Sequence, residues 1–264
     1  MKFALKNLVV AAAFVAAGAA NAADLTLNAG GSVTDQGWTV SGLTGSGTLS
    51  FSPALLGALN AAAINVTQID PALLTIEGTL LEPTGYQSIK AAAPVTSLSG
   101  SFDGTTVTIT EVATAGGAAQ QSFDDGFLIG DGALEIKNLR VDLGAKIVYA
   151  TLVGANGLGT KDNVALWTIS NISGPTSFTA VEGPITSVNE LTGLVITSEA
   201  FGYFIQGLGV LDGGLETLQS ITDYGSITST ITVTATQAIP EPSTYALMGV
   251  GLLGVSLVAR RRVK

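Results

Sequence analysis

Ser226–Thr236 reads SITSTITVTAT. Thr228, Thr230, Thr232, Thr234 and Thr236 fall on one phase, and Ile227, Ser229, Ile231, Val233 and Ala235 on the other. Successive side chains of a strand point to opposite faces, so this alternation predicts a half-buried strand with threonine outward. Outward from it, the same signal recurs in short Val, Ile, Thr and Leu runs bounded by Gly, Pro, Asn and Asp. In Leu134–Val153, Leu134 and Ile136 hold one phase while Leu139, Val141 and Leu143 hold the other. That slip predicts a bulge near Lys137-Asn138, and Gly144-Ala145 a type II′ turn into Lys146–Val153. Further strands are predicted at Leu25–Asn28, Gly37–Leu43, Thr48–Phe51, Leu73–Leu81, Val95–Leu98, Thr105–Val112, Val164–Ile169, Ser177–Val181 and Leu191–Thr197. Two helices interrupt them. Ser52-Pro53 is a cap followed by proline at the first helical position, leading to about Ala63, and Ser198–Gly207 begins at a second serine cap. The predicted class is mainly β: an antiparallel, sandwich-like domain with one or two short helices.

Composition narrows the chemistry. The 264 residues contain no histidine, no cysteine and 12% charged residues, about half the usual share. Ser-His-Asp and Cys-His nucleophile systems, zinc sites of the usual N/S type, iron–sulfur clusters and disulfides are therefore excluded. No Gly-x-Ser-x-Gly, Ser-x-x-Lys or Gly-Lys-Ser/Thr motif occurs. The net charge of −9 is a poor match to nucleic acid, whose phosphates need a basic face. Both ends are basic, so residues 23–239, with five cations and nineteen acids, stand at −14.

The two ends read as addresses. Lys2 and Lys6, the apolar run Leu8–Ala20 and Ala20-Asn21-Ala22 have the form of a secretory signal peptide over 1–22, delivered through the Sec translocon and cleaved after Ala22. Residues 23–239 form one extracytoplasmic domain, and 240–264 a tail. In that tail Tyr245–Ala259 carries no charge and is followed by Arg260-Arg261-Arg262. A helix of this length reaches about 22 Å against a hydrocarbon core of roughly 30 Å, a marginal transmembrane span. By the positive-inside rule the arginines stay cytoplasmic as a membrane stop, with the body in the periplasm. Gly249-Val250-Gly251-Leu252-Leu253-Gly254 spells a dinucleotide-loop motif but follows no strand, so it carries no such reading.

Pro240-Glu241-Pro242-Ser243-Thr244, a Gly- and Leu-rich apolar helix and a terminal arginine run resemble a PEP-CTERM sorting tail over about 239–264. The resemblance implies an exopolysaccharide-producing Gram-negative bacterium. It also implies an exosortase, a membrane-embedded transpeptidase-like protease, that recognises Pro240, Glu241 and Pro242 and removes the tail. The inner membrane is then a transient partner, and the mature form reaches the cell surface or extracellular matrix.

Within the body, Phe123-Asp124-Asp125-Gly126 and Gly130-Asp131-Gly132 are the densest acidic, glycine-rich stretch. Asp124, Asp125 and Asp131 are candidate Ca²⁺ ligands, since that hard cation takes six to eight oxygens. An EF-hand is excluded: counted from Asp124, Glu135 falls at position twelve, but Gly126 and Leu128 occupy positions three and five. The same acids with Glu135 leave carboxylate-dependent glycan hydrolysis open. Trp167 sits in the apolar run Val164–Ile169 and is expected in the core, whereas Trp38, between Gly37 and Thr39, is more open to surface use. The threonine face of Ser226–Thr236 could meet solvent, glycan or ice. The expected function is an exported, non-catalytic structural or glycan-binding component associated with exopolysaccharide or biofilm, with no cofactor. The alternatives are a glycan hydrolase or a Ca²⁺-dependent adhesin, with ice binding a remote third.

Overall fold

The structure, a computed structural model, describes residues 23–80, 83–238 and 247–253. In chain order the strands and helices are β1 (Ala23–Asn28), β2 (Ser32–Asp35), β3 (Trp38–Phe51), α1 (Pro53–Ala61), β4 (Asn65–Ile69), β5 (Leu73–Glu77), β6 (Ser88–Phe102), β7 (Thr106–Thr114), β8 (Gly117–Ser122), β9 (Gly132–Asp142), β10 (Ile147–Gly154), β11 (Gly159–Ser173), β12 (Ser177–Thr179), β13 (Gly183–Ile196), α2 (Ser198–Leu208), α3 (Asp212–Gln219) and β14 (Gly225–Gln237). The mainly β, antiparallel class expected from the alternation is the class observed. The strands belong to one continuous sheet. β3, β6, β7, β9, β10, β11, β13 and β14 pair antiparallel, each with the next around a ring that closes where β7 meets β9. Closure removes the exposed edges that an open sheet would offer to other chains.

The closing seam is short, joining Glu111–Ala113 to Arg140–Asp142. Arg140 straddles it, donating to the Glu111 carboxylate and, at 2.9 Å, to Asn163 Oδ1, while its guanidinium lies 4.1 Å above the Tyr149 ring. The remaining strands are attachments: β1 and β5 to β6, β2 to β3, β12 to β7, and β8 then β4 to β9.

β14 lies as its pattern predicts. Ile227, Ser229, Ile231 and Ala235 are buried, Thr228, Thr230 and Thr236 are exposed, and Thr232 Oγ1 meets Thr186 Oγ1 of β13 at 2.9 Å. The bulge in β9 is also present, because Tyr149 faces Arg140 whereas Thr151 faces Lys137, leaving Asn138 and Leu139 opposite Ala150 alone. Asn138 takes a positive φ of 54° there. The hairpin turn differs from the type II′ expectation. Ile147 pairs with Asp142, so the loop is the four residues 143–146, Lys146 rather than Gly144 takes the left-handed conformation, and Asp142 Oδ1 accepts the Ala145 N–H at 2.7 Å. The side-chain acceptor of Asp142 outweighs the glycine's freedom.

Ser52 caps α1 as predicted, accepting the Leu55 N–H at 3.0 Å, with Pro53 in the first turn. At α2 the cap is Thr197, not Ser198: Thr197 Oγ1 accepts the Ala200 N–H at 3.2 Å, and Ser198 is the first helical residue. Strands predicted separately at 37–43 and 48–51 are one strand, β3, and β6 extends from Ser88 through a stretch poor in strand formers, Ala91-Ala92-Ala93-Pro94. Pro94, with no N–H to donate, lies where one edge of β6 passes from β5 to β7.

Two hydrophobic clusters fill the ring. The larger gathers Leu134, Val148, Leu152, Leu166, Trp167 and Leu194 with the inner faces of α1 and α2; the smaller is Leu27, Leu43, Val95 and Ile231. Ala20 and Ala22, the Pro240-Glu241-Pro242 signal and Arg260, Arg261 and Arg262 lie outside the described residues. Of the span expected at 245–259, residues 247–253 are described and are helical. Among the described residues no helix is long and apolar enough to cross a membrane.

Candidate functional site

The loop 123–131 joins β8 to β9, and its carboxylates organise its own backbone. Asp125 Oδ1 accepts N–H bonds from Phe127, Leu128 and Ile129 at 2.8, 2.7 and 3.0 Å. Asp124 Oδ1 accepts from Gly126 at 2.8 Å, and Asp131 Oδ1 accepts from the Asp124 N–H at 3.0 Å. The backbone bonds from Ile129, then Phe127, hold the Asp125 carboxyl below its ordinary pKa, because they stabilise the charged form. Asp124, Asp125 and Asp131 are thus brought into one loop. Glu135 is not with them: it lies on β9, where Lys137 Nζ donates to it at 2.6 Å. Among the described residues no three acids gather as a metal-binding group.

The loop is fastened to the protein from below. Ile129 is buried and bridges Val210, Gly130 N donates to Gly209 O at 2.7 Å, and Leu211 N donates to Leu128 O at 3.0 Å. This anchoring lifts two aromatic rings into solvent, Phe123 at 60% and Phe127 at 70% exposure. Phe127 rests one edge on α3, where a Cβ at Gly213 would come within 3.0 Å of its ring; the absent side chain admits it. Two exposed phenylalanines beside oriented carboxylates form an amphipathic surface of the kind loops present to ligands.

Phe127 was not among the residues singled out from sequence. The signal that finds it is an aromatic flanked by Asp, Gly and Leu in a stretch with neither strand nor helix periodicity, where no face exists to bury it.

The ring interior is the second feature. A cavity of about 70 Å³ is lined by small and apolar groups including Gly47, Ala91, Ala93, Ala118, Ile136 and Ile227. Trp167 and Tyr224 line it too, 2% and 1% exposed. Trp167 Nε1 and the Tyr224 hydroxyl make no hydrogen bond, although a buried polar group left unpaired costs about 1–3 kcal/mol. The Tyr224 backbone is held firmly, its N–H donating to Leu194 O at 2.7 Å and its carbonyl accepting from Ser52 at 3.3 Å. Phe204 of α2 meets its ring edge-on at 6.4 Å. Burial pushes the phenol up to about 12. A second cavity, about 100 Å³, shares Ile109 and Ile231 with the first among its lining residues and includes half-buried Trp38. Trp167 is therefore core, as expected, and Trp38 lines an apolar chamber rather than standing free on the surface.

Comparison with known proteins bears on the tail. Residues 238–262 match the PEP-CTERM protein-sorting motif. The tail is a PEP-CTERM sorting signal. The match covers the residues on which the resemblance rested, and the PEP-CTERM motif implies export, a membrane-anchored precursor and processing by an exosortase. A comparison with curated protein sequences finds no match. Among solved structures, the heme-binding protein HtaB from Corynebacterium glutamicum aligns with 74% of this chain and 96% of its own, at 17% identity and a TM-score of 0.38.

Proposed function

We propose that this protein is a non-catalytic component of the cell surface or extracellular matrix that contacts exopolysaccharide through the loop 123–131. The supporting observation is the pair of exposed rings, Phe123 and Phe127, raised on a loop whose carboxylates and anchors fix its shape. Aromatic faces stack on the apolar faces of sugar rings, and carboxylate oxygens accept sugar hydroxyls, so the two groups together suit a neutral or cationic glycan. The acidic body disfavours a polyanionic one. The PEP-CTERM tail supports delivery to where such a polymer lies. No Ca²⁺ is required in this reading, because the loop is held by its own hydrogen bonds.

The test is retention of the exported protein on immobilised polysaccharide from the producing cells. Phe123→Ala and Phe127→Ala together should lower retention at least tenfold without moving the melting temperature by more than about 2 °C, as expected for exposed side chains. Retention equal to that of the unsubstituted protein would remove the loop from the proposal. Release of oligosaccharide during incubation would replace the non-catalytic reading with the hydrolase.

A further inference from the structure

The last strand ends almost on the sorting signal. The Ala238 N–H donates to Gly37 O at 2.7 Å, and Gln237, one residue back, pairs with Trp38 of β3 and donates its N–H to Glu182 Oε1 at 3.4 Å. Pro240 follows two residues after Ala238. An extended chain advances at most about 3.3–3.6 Å per residue, so Pro240 is never more than about 7 Å from Ala238, and Tyr245, where the apolar run begins, never more than about 25 Å. A protease cleft that holds Pro240-Glu241-Pro242 therefore has its rim against the folded domain. The sequence leaves no room for a linker that would keep the two apart.

Two turns flank Ala238 and define the surface met there. One is the β2–β3 turn, 35–38, with Gln36 and Gly37 exposed; beside it lies Gly104, where a Cβ would come 2.5 Å from Gln36 Oε1. The other is 180–183, in which Ala180 N donates to Thr105 O at 2.7 Å and Gly183 pairs with Ala235 of β14. Across 35–38, 102–107, 180–183 and 235–238 the charged residues are Asp35, Asp103 and Glu182, with no lysine or arginine, and Val181 stands 53% exposed among them. The cations of the body lie elsewhere, at Lys90, Lys137, Arg140, Lys146 and Lys161. The loop 123–131 belongs to the opposite pole, because it is fastened to 209–211, just after α2, and α2 follows the other end of β13 at Ile196.

We infer that the exosortase reads this acidic pole of the folded ring together with the Pro-Glu-Pro signal, through a basic rim that also offers an apolar contact to Val181. Opposite charges across a contact speed encounter and fix its register. Asp35, Asp103 and Glu182 come from three separate segments, so only the folded domain gathers them, and the tail of a folded body is processed faster than the same tail on an unfolded one. The inference rests on the sorting tail and is independent of the loop 123–131.

The test is a pulse-chase of the full chain in its exporting cells, with release followed by immunoblot and the Pro-Glu-Pro tail identical in every variant. A Gly-Ser insertion of about ten residues between Ala238 and Ile239, ~30 Å when extended, frees the signal from the pole and should slow release about tenfold. It replaces no residue of the fold, so slowing cannot be laid to a damaged core. Val181→Ser with Glu182→Lys should slow release about fivefold. Glu190→Lys, at an exposed acid of β13 away from the pole, changes the net charge equally and should leave release unchanged. The inference is overturned if the insertion leaves release as fast as in the unsubstituted protein, or speeds it, which would make the pole an obstacle rather than a contact. It is equally overturned if the Val181→Ser, Glu182→Lys protein and the Glu190→Lys protein slow alike, which would assign the effect to net charge. Glu241→Gln reads the signal separately, so a failed signal and a failed pole give different results.

Discussion

Tyr224 joins two physical facts that the sequence keeps apart. Its backbone is clamped between Ser52 and Leu194, and its ring is enclosed by apolar neighbours including Phe204, so the hydroxyl has neither solvent nor a partner. The pKa, raised to about 12 by burial, makes a claim about stability. In the unfolded chain a tyrosine ionises near pH ~10. Below that value both states are protonated and the native state loses nothing. Between about pH 10 and 12 the unfolded state gives up the proton while the folded state keeps it, so stability falls as pH rises, by roughly 2–3 kcal/mol in all. Urea midpoints measured from pH 9 to 12 should therefore decline more steeply for the natural protein than for Tyr224→Phe. Parallel declines would show that the hydroxyl is not buried in the folded protein. Tyr203, whose phenol is also raised through its hydrogen bond to Glu199, is present in both proteins and cancels.

Elements were legible in proportion to how much of their pattern is local. β14 and α1 were readable because strict alternation and a Ser-Pro cap are properties of neighbouring residues. β3 was not, because its centre, Gly42-Leu43-Thr44-Gly45-Ser46-Gly47, has the composition of a turn. Its conformation is decided by the strand beside it. Gly45 has a φ of 135°, and a Cβ there would lie 2.1 Å from the Thr230 carbonyl oxygen of β14, so this glycine lets β3 bend around the ring while staying paired. Gly45→Ala should cost about 3 kcal/mol or more, through a strained backbone and a collision with β14. Gly47→Ala, two residues on, places its Cβ 3.6 Å from Thr114 Cγ2 in ordinary contact and should change stability by less than about 1 kcal/mol. Thermal unfolding of the pair is the check, and equal shifts would mean that the bend does not depend on Gly45. β4, β8 and α3 were missed for related reasons: each is short, and β8, Gly-Ala-Ala-Gln-Gln-Ser, has almost no strand propensity until β9 pairs with it.

At the scale of the whole molecule, an acidic ring of strands is carried by a PEP-CTERM tail of opposite charge. The physical case for that tail is simple. Proline lacks a backbone N–H and disfavours a helix at the residue before it, so the order Pro240-Glu241-Pro242 ahead of the apolar run is the reason for proposing these three residues as what the exosortase recognises. Replacing Glu241 by Gln, or both prolines by Ala, should leave a full-length species in the membrane fraction and reduce release at least tenfold by immunoblot. Normal release of either variant would show that the signal lies elsewhere.

What the sequence by itself determined about this protein is the antiparallel β class, the outward threonines of β14, the bulge at Asn138, the cap of α1 and the tail, since each is written in contiguous residues whose spacing or order has one physical meaning. Only the tertiary structure decided that the sheet closes on itself, that Phe123 and Phe127 stand exposed above a self-bonded acidic loop, and that Trp167 and Tyr224 share a cavity. Trp167 and Tyr224 are far apart along the chain, and so are Glu111 and Arg140 at the seam. Closure depends on how twist accumulates over many strands, and a cavity depends on small side chains from several of them meeting at one height, a coincidence in space that no local pattern encodes.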